Sequence, residues 1–169
     1  MLVILMAQED LLMGKEAPAF CLPDPECRKT CLEEFRGKWA VLYFYPKDNT
    51  PGCTLEALQF NKEMAVFEGS DATIIGVSPD SPESHQNFKE KHHLGFILLS
   101  DADHRVLKAY GVWEPKMLFG KELFGVVRST FLIDPRGKIV DVWRRVKVPG
   151  HSAAVLVALD KRRTQPEYK

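Results

Sequence analysis

Apolar residues fall along this chain in short blocks, and the spacing inside each block separates strands from helices. Residues 39–45, WAVLYFY, form a near-continuous run of β-branched, aromatic and aliphatic side chains, the pattern of a strand covered on both faces. Residues 73–78, TIIGVS, repeat that pattern, and 96–99 give a shorter version. Between these blocks the period changes. From Cys53 to Glu68 the residues favour a helix, with Leu55, Leu58 and Ala65 near one face and Glu56, Lys62 and Glu63 left to solvent or to a site. Ser81 followed by Pro82 and Glu83 reads as a helix cap, opening a helix that runs to about His93, and 105–110 predicts a short one.

At the N-terminal end, 19–22 and 30–34 are strand candidates separated by Pro23-Asp24-Pro25, which predicts a hairpin. At the other end, 129–133 and 139–146 flank Asp134-Pro135-Arg136-Gly137, a second hairpin turn, and 151–162 is the final helix. Residues 112–122 have no clean period and contain Pro115 and Gly120, so an irregular crossing segment is expected there. Strands and helices alternating between two hairpins predict an α/β sandwich with a mixed sheet. One domain over 14–163 accounts for these elements, after an extension, 1–13, expected to be disordered, and before a tail, 164–169; Met6 and Met13 are alternative starts to Met1.

Composition narrows the function classes. At 169 residues and 45% hydrophobic content the chain builds one real core. Its 23 basic and 23 acidic residues cancel, so no global field draws it to nucleic acid or to an anionic membrane. Lys161-Arg162-Arg163 reads as the basic end of the last helix, and the apolar stretch 1–7 is too short to span a bilayer. Four cysteines are too few for a disulfide scaffold, which points to a reducing cytoplasm and makes thiol reactivity the question. The five histidines show no ligand spacing, and neither a metal nor a cofactor is expected. Phe44, Tyr45, Trp113, Phe119 and Phe124 are expected in the core, with the mouth of a pocket as the alternative.

Cys53 is the leading candidate for chemistry. A lone cysteine is usually a small buried hydrophobe, but this one follows Pro46-Lys47-Asp48-Asn49-Thr50-Pro51-Gly52 at the end of a buried strand and opens a helix. Open α/β sheets place ligands at the carboxyl ends of their strands. The unpaired amides and the dipole of a helix N-terminus stabilise an anion such as a thiolate, the form in which cysteine is nucleophilic.

Pro46, Thr50 and Cys53 reproduce the Pro-x3-Thr/Ser-x2-Cys signature, and YPKDNTPGCT resembles the peroxiredoxin Q, or bacterioferritin-comigratory, branch of the peroxiredoxins. The likeness continues through 17–20, 35–38 and 76–81 to Arg128-Ser129-Thr130-Phe131, covering about 14–160. It implies a thioredoxin-like fold and a peroxidase acting on hydrogen peroxide and alkyl hydroperoxides. Cys53 would become a sulfenic acid and be reduced by thioredoxin or another thiol protein, in a monomer or homodimer. Thr50 would supply a hydroxyl, Pro46 would shape the pocket, Arg128 would bring a permanent cation, and Glu56 would hold Arg128 through a charge-assisted pair. A thiol–disulfide oxidoreductase and a chaperone-like binding module on the same fold are the competing readings. The first is weakened by the absence of a C-x-x-C partner to Cys53.

A low thiol pKa is not enough for such chemistry. Lowering a thiol from about 8.5 to about 6 raises its thiolate fraction at pH 7 about thirtyfold. Reduced nucleophilicity, with a Brønsted slope of about 0.45, leaves a gain of only about two- to threefold. Donors preorganised around the peroxide oxygens must supply the larger share. The chain also departs from the family pattern. Many members of the branch place a resolving cysteine five residues after the peroxidatic one, where this chain has Leu58, and no cysteine follows Cys53. Cys21, Cys27 and Cys31 remain as resolving candidates, with Cys21 expected to be buried and a Cys27–Cys31 pair conceivable. Intramolecular resolution, intersubunit resolution and a one-cysteine cycle with an external thiol all stay open.

Overall fold

The computed structural model describes residues 10–169; the greater part of the extension read over 1–13 lies outside the described residues. A hairpin of β1 (Cys21–Pro23) and β2 (Lys29–Cys31) leads through a 3-10 turn to β3 (Trp39–Phe44). Then follow α1 (Pro51–Gly69), β4 (Ala72–Ser78), α2 (Pro82–His92), β5 (Ile97–Ser100) and α3 (Arg105–Ala109). After these come β6 (Trp113–Leu118), β7 (Lys121–Val126), β8 (Ser129–Ile133), β9 (Ile139–Trp143) and α4 (His151–Arg163). The central sheet has the order β5-β4-β3-β8-β9. β3 runs parallel to β4 and β4 to β5, whereas β8 is antiparallel to both β3 and β9. This is the mixed sheet flanked by helices expected of a thioredoxin-like fold.

β3 is central and every residue in it is buried, as its unbroken apolar run requires. Its side chains alternate between two cores. Ala40, Leu42 and Phe44 face Tyr110, Val112 and the N-terminal hairpin, while Val41 and Tyr43 face α1 and α4. Ser81 caps α2, accepting a hydrogen bond from the Ser84 amide at 3.1 Å. Residues 10–13 make a turn in which Asp10 pairs with Arg144 at 2.7 Å, and near the C-terminus Tyr168 packs on Trp39 and donates to Asp134.

Four expectations are corrected. Residues 112–122 are not irregular: β6 and β7 pair in register from Trp113↔Val126 to Leu118↔Lys121, and Gly120, at φ 75°, makes the tight turn. This hairpin stands off the central sheet and carries Phe119 at 96% exposure, so Phe119 and Phe124 are surface residues, not core. Helix α1 buries the face opposite to the one its leucines suggest: Cys53, Glu56, Ala57, Phe60 and Phe67 point inward, and Leu55 and Leu58 outward. Cys21 is exposed and bonded to Cys31, directly across the β1–β2 ladder, which leaves Cys27 as an exposed free thiol. Of the five histidines, His85 and His151 are buried.

Candidate active site

Pro46 ends the path of β3, and the loop that follows turns twice before α1 begins. Asn49 adopts the left-handed conformation at φ 60°. Thr50 is extended at the N-cap, and its hydroxyl donates to the Lys47 carbonyl at 2.7 Å instead of capping the helix. With that hydrogen engaged, its lone pairs are what it offers to a ligand. Pro51 opens the helix, where its missing N–H costs nothing, and the first helical bond runs from the Thr54 amide to the Thr50 carbonyl. The Gly52 and Cys53 amides therefore stand ahead of the helical ladder, in the position that attracts an anion.

Cys53 is only 2% exposed. Its sulfur receives a hydrogen bond from Nη2 of Arg128 at 3.3 Å, while Nη1 of the same guanidinium donates to Oε1 of Glu56 at 2.7 Å. Arg128 arrives from the segment between β7 and β8 and Glu56 from the helical turn after Cys53, so two distant parts of the sequence meet at one sulfur. Gly52 makes room for the meeting: a Cβ there would lie 3.3 Å from Nη2 of Arg128. Burial raises Glu56 to about 7, and the opposing pull of the Arg128 charge and hydrogen bond does not cancel it. Its second oxygen, Oε2, and the Tyr43 hydroxyl are buried without a protein hydrogen-bond partner. Burial holds Tyr43 well above the usual tyrosine range, helped by the negative charges of Glu56 and Cys53, so its O–H stays protonated in the wall of the site.

Two further groups surround Arg128. His151, at the start of α4, lies 2.8 Å from Oγ1 of Thr130 through Nε2 and is held down to about 4 by burial and then by the Arg128 charge. It is a neutral imidazole at physiological pH. Lys116 on β6 donates to the Val126 carbonyl; burial, then the charges of Arg128 and Arg145, keep it below the usual lysine range. Arg128 is thus the permanent cation in contact with the sulfur. The structure brings together Cys53, Arg128 and Glu56 by direct contact and sets Thr50 and Pro46 in the loop just ahead of them. Cys21, Cys27 and Cys31 belong to the β1–β2 hairpin, which packs on the sheet face opposite α1. Sequence reading passed over Gly52, Tyr43, Lys116 and His151. Of these, only Gly52, one residue before the thiol, carried a local signal.

The model of the AhpC/TSA family matches residues 13–142. The chain belongs to that family, and its class of enzyme is the thiol-dependent peroxidase. Within the family the similarity is to the Bcp, or Q-type, peroxiredoxins. Peroxiredoxin Bcp of Bacillus subtilis is 50% identical over 147 residues, covering 87% of this chain and 94% of that protein. Among solved structures, the bacterioferritin comigratory protein of Xanthomonas campestris, studied for alkyl peroxide reduction, superposes with a TM-score of 0.81 at 45% identity, over 85% of this chain and 91% of its own. A cysteine-to-serine variant of PrxQ from Xylella fastidiosa gives a TM-score of 0.86 at 40% identity, over 91% and 98%. No described helix is long and apolar enough to cross a membrane.

Proposed function

We propose that Cys53 is the peroxidatic thiol of a cytoplasmic enzyme that reduces hydrogen peroxide and small alkyl hydroperoxides. The observation that carries this reading is the Arg128 guanidinium, shared between the Cys53 sulfur and Glu56. The thiolate attacks one peroxide oxygen, an S–O bond forms as the O–O bond breaks, and the leaving hydroxide or alkoxide takes a proton to become water or alcohol. Charge moves from sulfur to the leaving oxygen. Arg128 and the free amides at the head of α1 stabilise it there, while Thr50 accepts a hydrogen bond from the peroxide O–H. Pro46 closes the pocket wall, and Glu56 holds the guanidinium in orientation.

The resulting sulfenic acid is released by a thiol of an external protein of the thioredoxin type. That thiol forms a mixed disulfide with loss of water, and a second thiol then displaces Cys53. Leu58 stands at the helix position where an internal thiol is absent. A second reading rests on the Cys21–Cys31 bond. That disulfide is the product expected if one hairpin thiol attacked the sulfenic acid and the other then freed Cys53. Because the hairpin lies on the opposite face of the sheet, such an exchange runs between two molecules, as a transient dimer. Peroxide consumption with a dithiol reductant tests the enzyme: wild type must outpace Cys53→Ser, and equal rates reject the assignment. Non-reducing mass spectrometry after one equivalent of peroxide separates the routes. Persistent sulfenic acid selects the external thiol, and an intermolecular Cys53 link to Cys21 or Cys31 selects the hairpin.

A further inference from the structure

The loop that delivers Cys53 is tied down by a buried polar cluster that the peroxidase chemistry does not use. Asp48, 6% exposed, is its centre. Its Oδ1 accepts from the Tyr45 hydroxyl at 2.6 Å, and its Oδ2 accepts from the Ser84 hydroxyl at 2.8 Å and faces Nδ1 of His85 at 2.7 Å. Its own amide donates to Oδ2 of Asp80 at 2.8 Å, an oxygen that also receives the Ser78 hydroxyl at 2.7 Å. The cluster joins the end of β3, the end of β4, the first turn of α2 and, through Nε2 of His85 on the Leu99 carbonyl at 3.0 Å, strand β5. A carbonyl only accepts, so Nε2 carries a hydrogen. One further proton lies between Nδ1 and the Asp48 carboxyl, and the pair is neutral overall whichever group holds it. Ligand atoms of Asp48, Asp80 and His85 lie within 4.8 Å of one another. Hydroxyl and amide hydrogens already point at these oxygens, which makes the cluster a hydrogen-bonded latch and not a cation site.

A latch at this place has a mechanical consequence. Cys53 is 2% exposed, and a disulfide with a protein thiol needs the two sulfurs at about 2.05 Å. The head of α1 must open for any protein thiol to reach it, whereas a small peroxide needs it closed around Arg128. Cys53 itself is held by Arg128 at 3.3 Å, but the remaining side-chain bonds of the loop ahead of it are slight: Thr50 bonds back to Lys47, and Asn49 makes one exposed contact with His92 at 3.3 Å. We infer that Asp48 is a positioning residue whose bonds to Tyr45, Ser84, His85 and Asp80 hold residues 47–53 in the peroxide-reactive conformation, and that release of these bonds exposes Cys53 to thiols. The inference builds on the role proposed above for Cys53.

The test uses Asp48→Asn, which keeps the shape and one acceptor but turns an amide donor toward Ser84 and His85. Reduced protein is alkylated with iodoacetamide and the Cys53 and Cys27 adducts are followed by mass spectrometry, with the folded fraction measured in parallel by circular dichroism. Loss of buried, charge-assisted hydrogen bonds should speed Cys53 alkylation by about ten- to hundredfold, while exposed Cys27 reacts unchanged. The rate of Cys53 oxidation by hydrogen peroxide should fall at least about tenfold, and capture of the sulfenic acid by thionitrobenzoate should rise. A purely structural role would move both reactions in the same direction, following the folded fraction. Unchanged Cys53 alkylation, or oxidation and capture falling together, overturns the latch. If Asp48→Asn does not fold, Ser84→Ala removes one of the bonds, and the same opposite changes of about three- to tenfold are required. Alkylation does not depend on turnover, so loss of the latch and loss of the peroxidase assignment are read separately.

Discussion

Substituting Arg128 separates the two ways in which a cation helps a thiol. If Arg128 served only to favour the thiolate, the arithmetic of charge against nucleophilicity limits its worth to about two- to threefold in rate at pH 7. If it also stabilises charge arriving on the leaving oxygen, removing it should cost about 10²–10³, the usual worth of one preorganised donor. The structure favours the larger number, because Nη2 sits 3.3 Å from the sulfur while Nη1 is fixed at 2.7 Å on Glu56, which preorganises the guanidinium beside the reacting atom. Arg128→Lys keeps the charge but replaces two parallel donors with one point charge, so at least about a tenfold loss is expected from it as well. Arg128→Ala leaves Glu56 buried without its cation, a defect of about 3–5 kcal/mol. Arg128→Ala combined with Glu56→Gln is therefore the fair comparison. Stopped-flow tryptophan fluorescence of reduced protein against hydrogen peroxide gives the second-order rate constant, and thiolate absorbance near 240 nm gives the ionised fraction. A loss of threefold or less in the double variant, with an unchanged thiolate titration, refutes the reasoning.

Three further outcomes follow from the same geometry. Glu56, held near 7 by burial against 4.5 in the unfolded chain, makes the native state retain an extra proton. Its share of stability is complete below pH 4.5 and is lost as pH rises through 7, so the unfolding free energy of wild type from denaturant titrations should fall relative to Glu56→Gln by up to about 3 kcal/mol, and a flat difference would contradict it. Gly52→Ala should leave or slightly raise thermal stability, since the site is helical, yet slow peroxide reduction about tenfold by crowding Nη2 of Arg128; an unchanged rate would show that Gly52 is not needed for the approach. Reducing Cys21–Cys31, which closes a separation of 10 residues, should weaken the β1–β2 hairpin by about 2.7 kcal/mol. Amide exchange at Leu32, bonded to the Phe20 carbonyl, should then quicken about a hundredfold, and equal exchange in both redox states would exclude that contribution.

What the sequence revealed was governed by range. Strands β3 and β4 were legible because burial on both faces leaves a continuous apolar run, and the Ser81 cap because its partner is three residues away. The candidates Pro46, Thr50 and Cys53 stood out through a motif, and Arg128 through the longer likeness around it. The buried face of α1 was not: Leu55 and Leu58 suggested one stripe, and Glu56 is an improbable core residue until Arg128, 72 residues on, supplies its counter-charge. β6 and β7 escaped for a different reason. Beyond its base at Trp113 and Val126 this hairpin has no buried face to impose alternation, so Pro115 and exposed Leu118 and Phe119 hide its period of two. The Cys21–Cys31 pair follows from strand register, and nothing in the spacing of three cysteines favours it over Cys27–Cys31. Asp48 and His85 looked like ordinary polar residues because their significance lies in five bonds made across four elements.

The same burial explains both the strength and the cost of the site. Around Cys53 the Arg128 guanidinium, the free amides of a helix end and a protonated Tyr43 lie against a sulfur that is itself buried, so they act on it with little screening by water. A carboxyl in that place is costly, which is why Glu56 sits near neutrality and not in the usual carboxylate range. Yet a thiol sealed this well is out of reach of another protein. A thiol carried on a protein surface cannot bond to a sulfur that is only 2% exposed, so the closed geometry excludes the second half of the cycle by size alone. The two half-reactions therefore place opposite demands on the first turn of α1. Peroxide reduction gains from every bond that holds that turn, and resolution gains from every bond that lets go. The stability of the 47–53 segment then sets the division of time between them, and tightening it further would trade thiol access for peroxide reactivity.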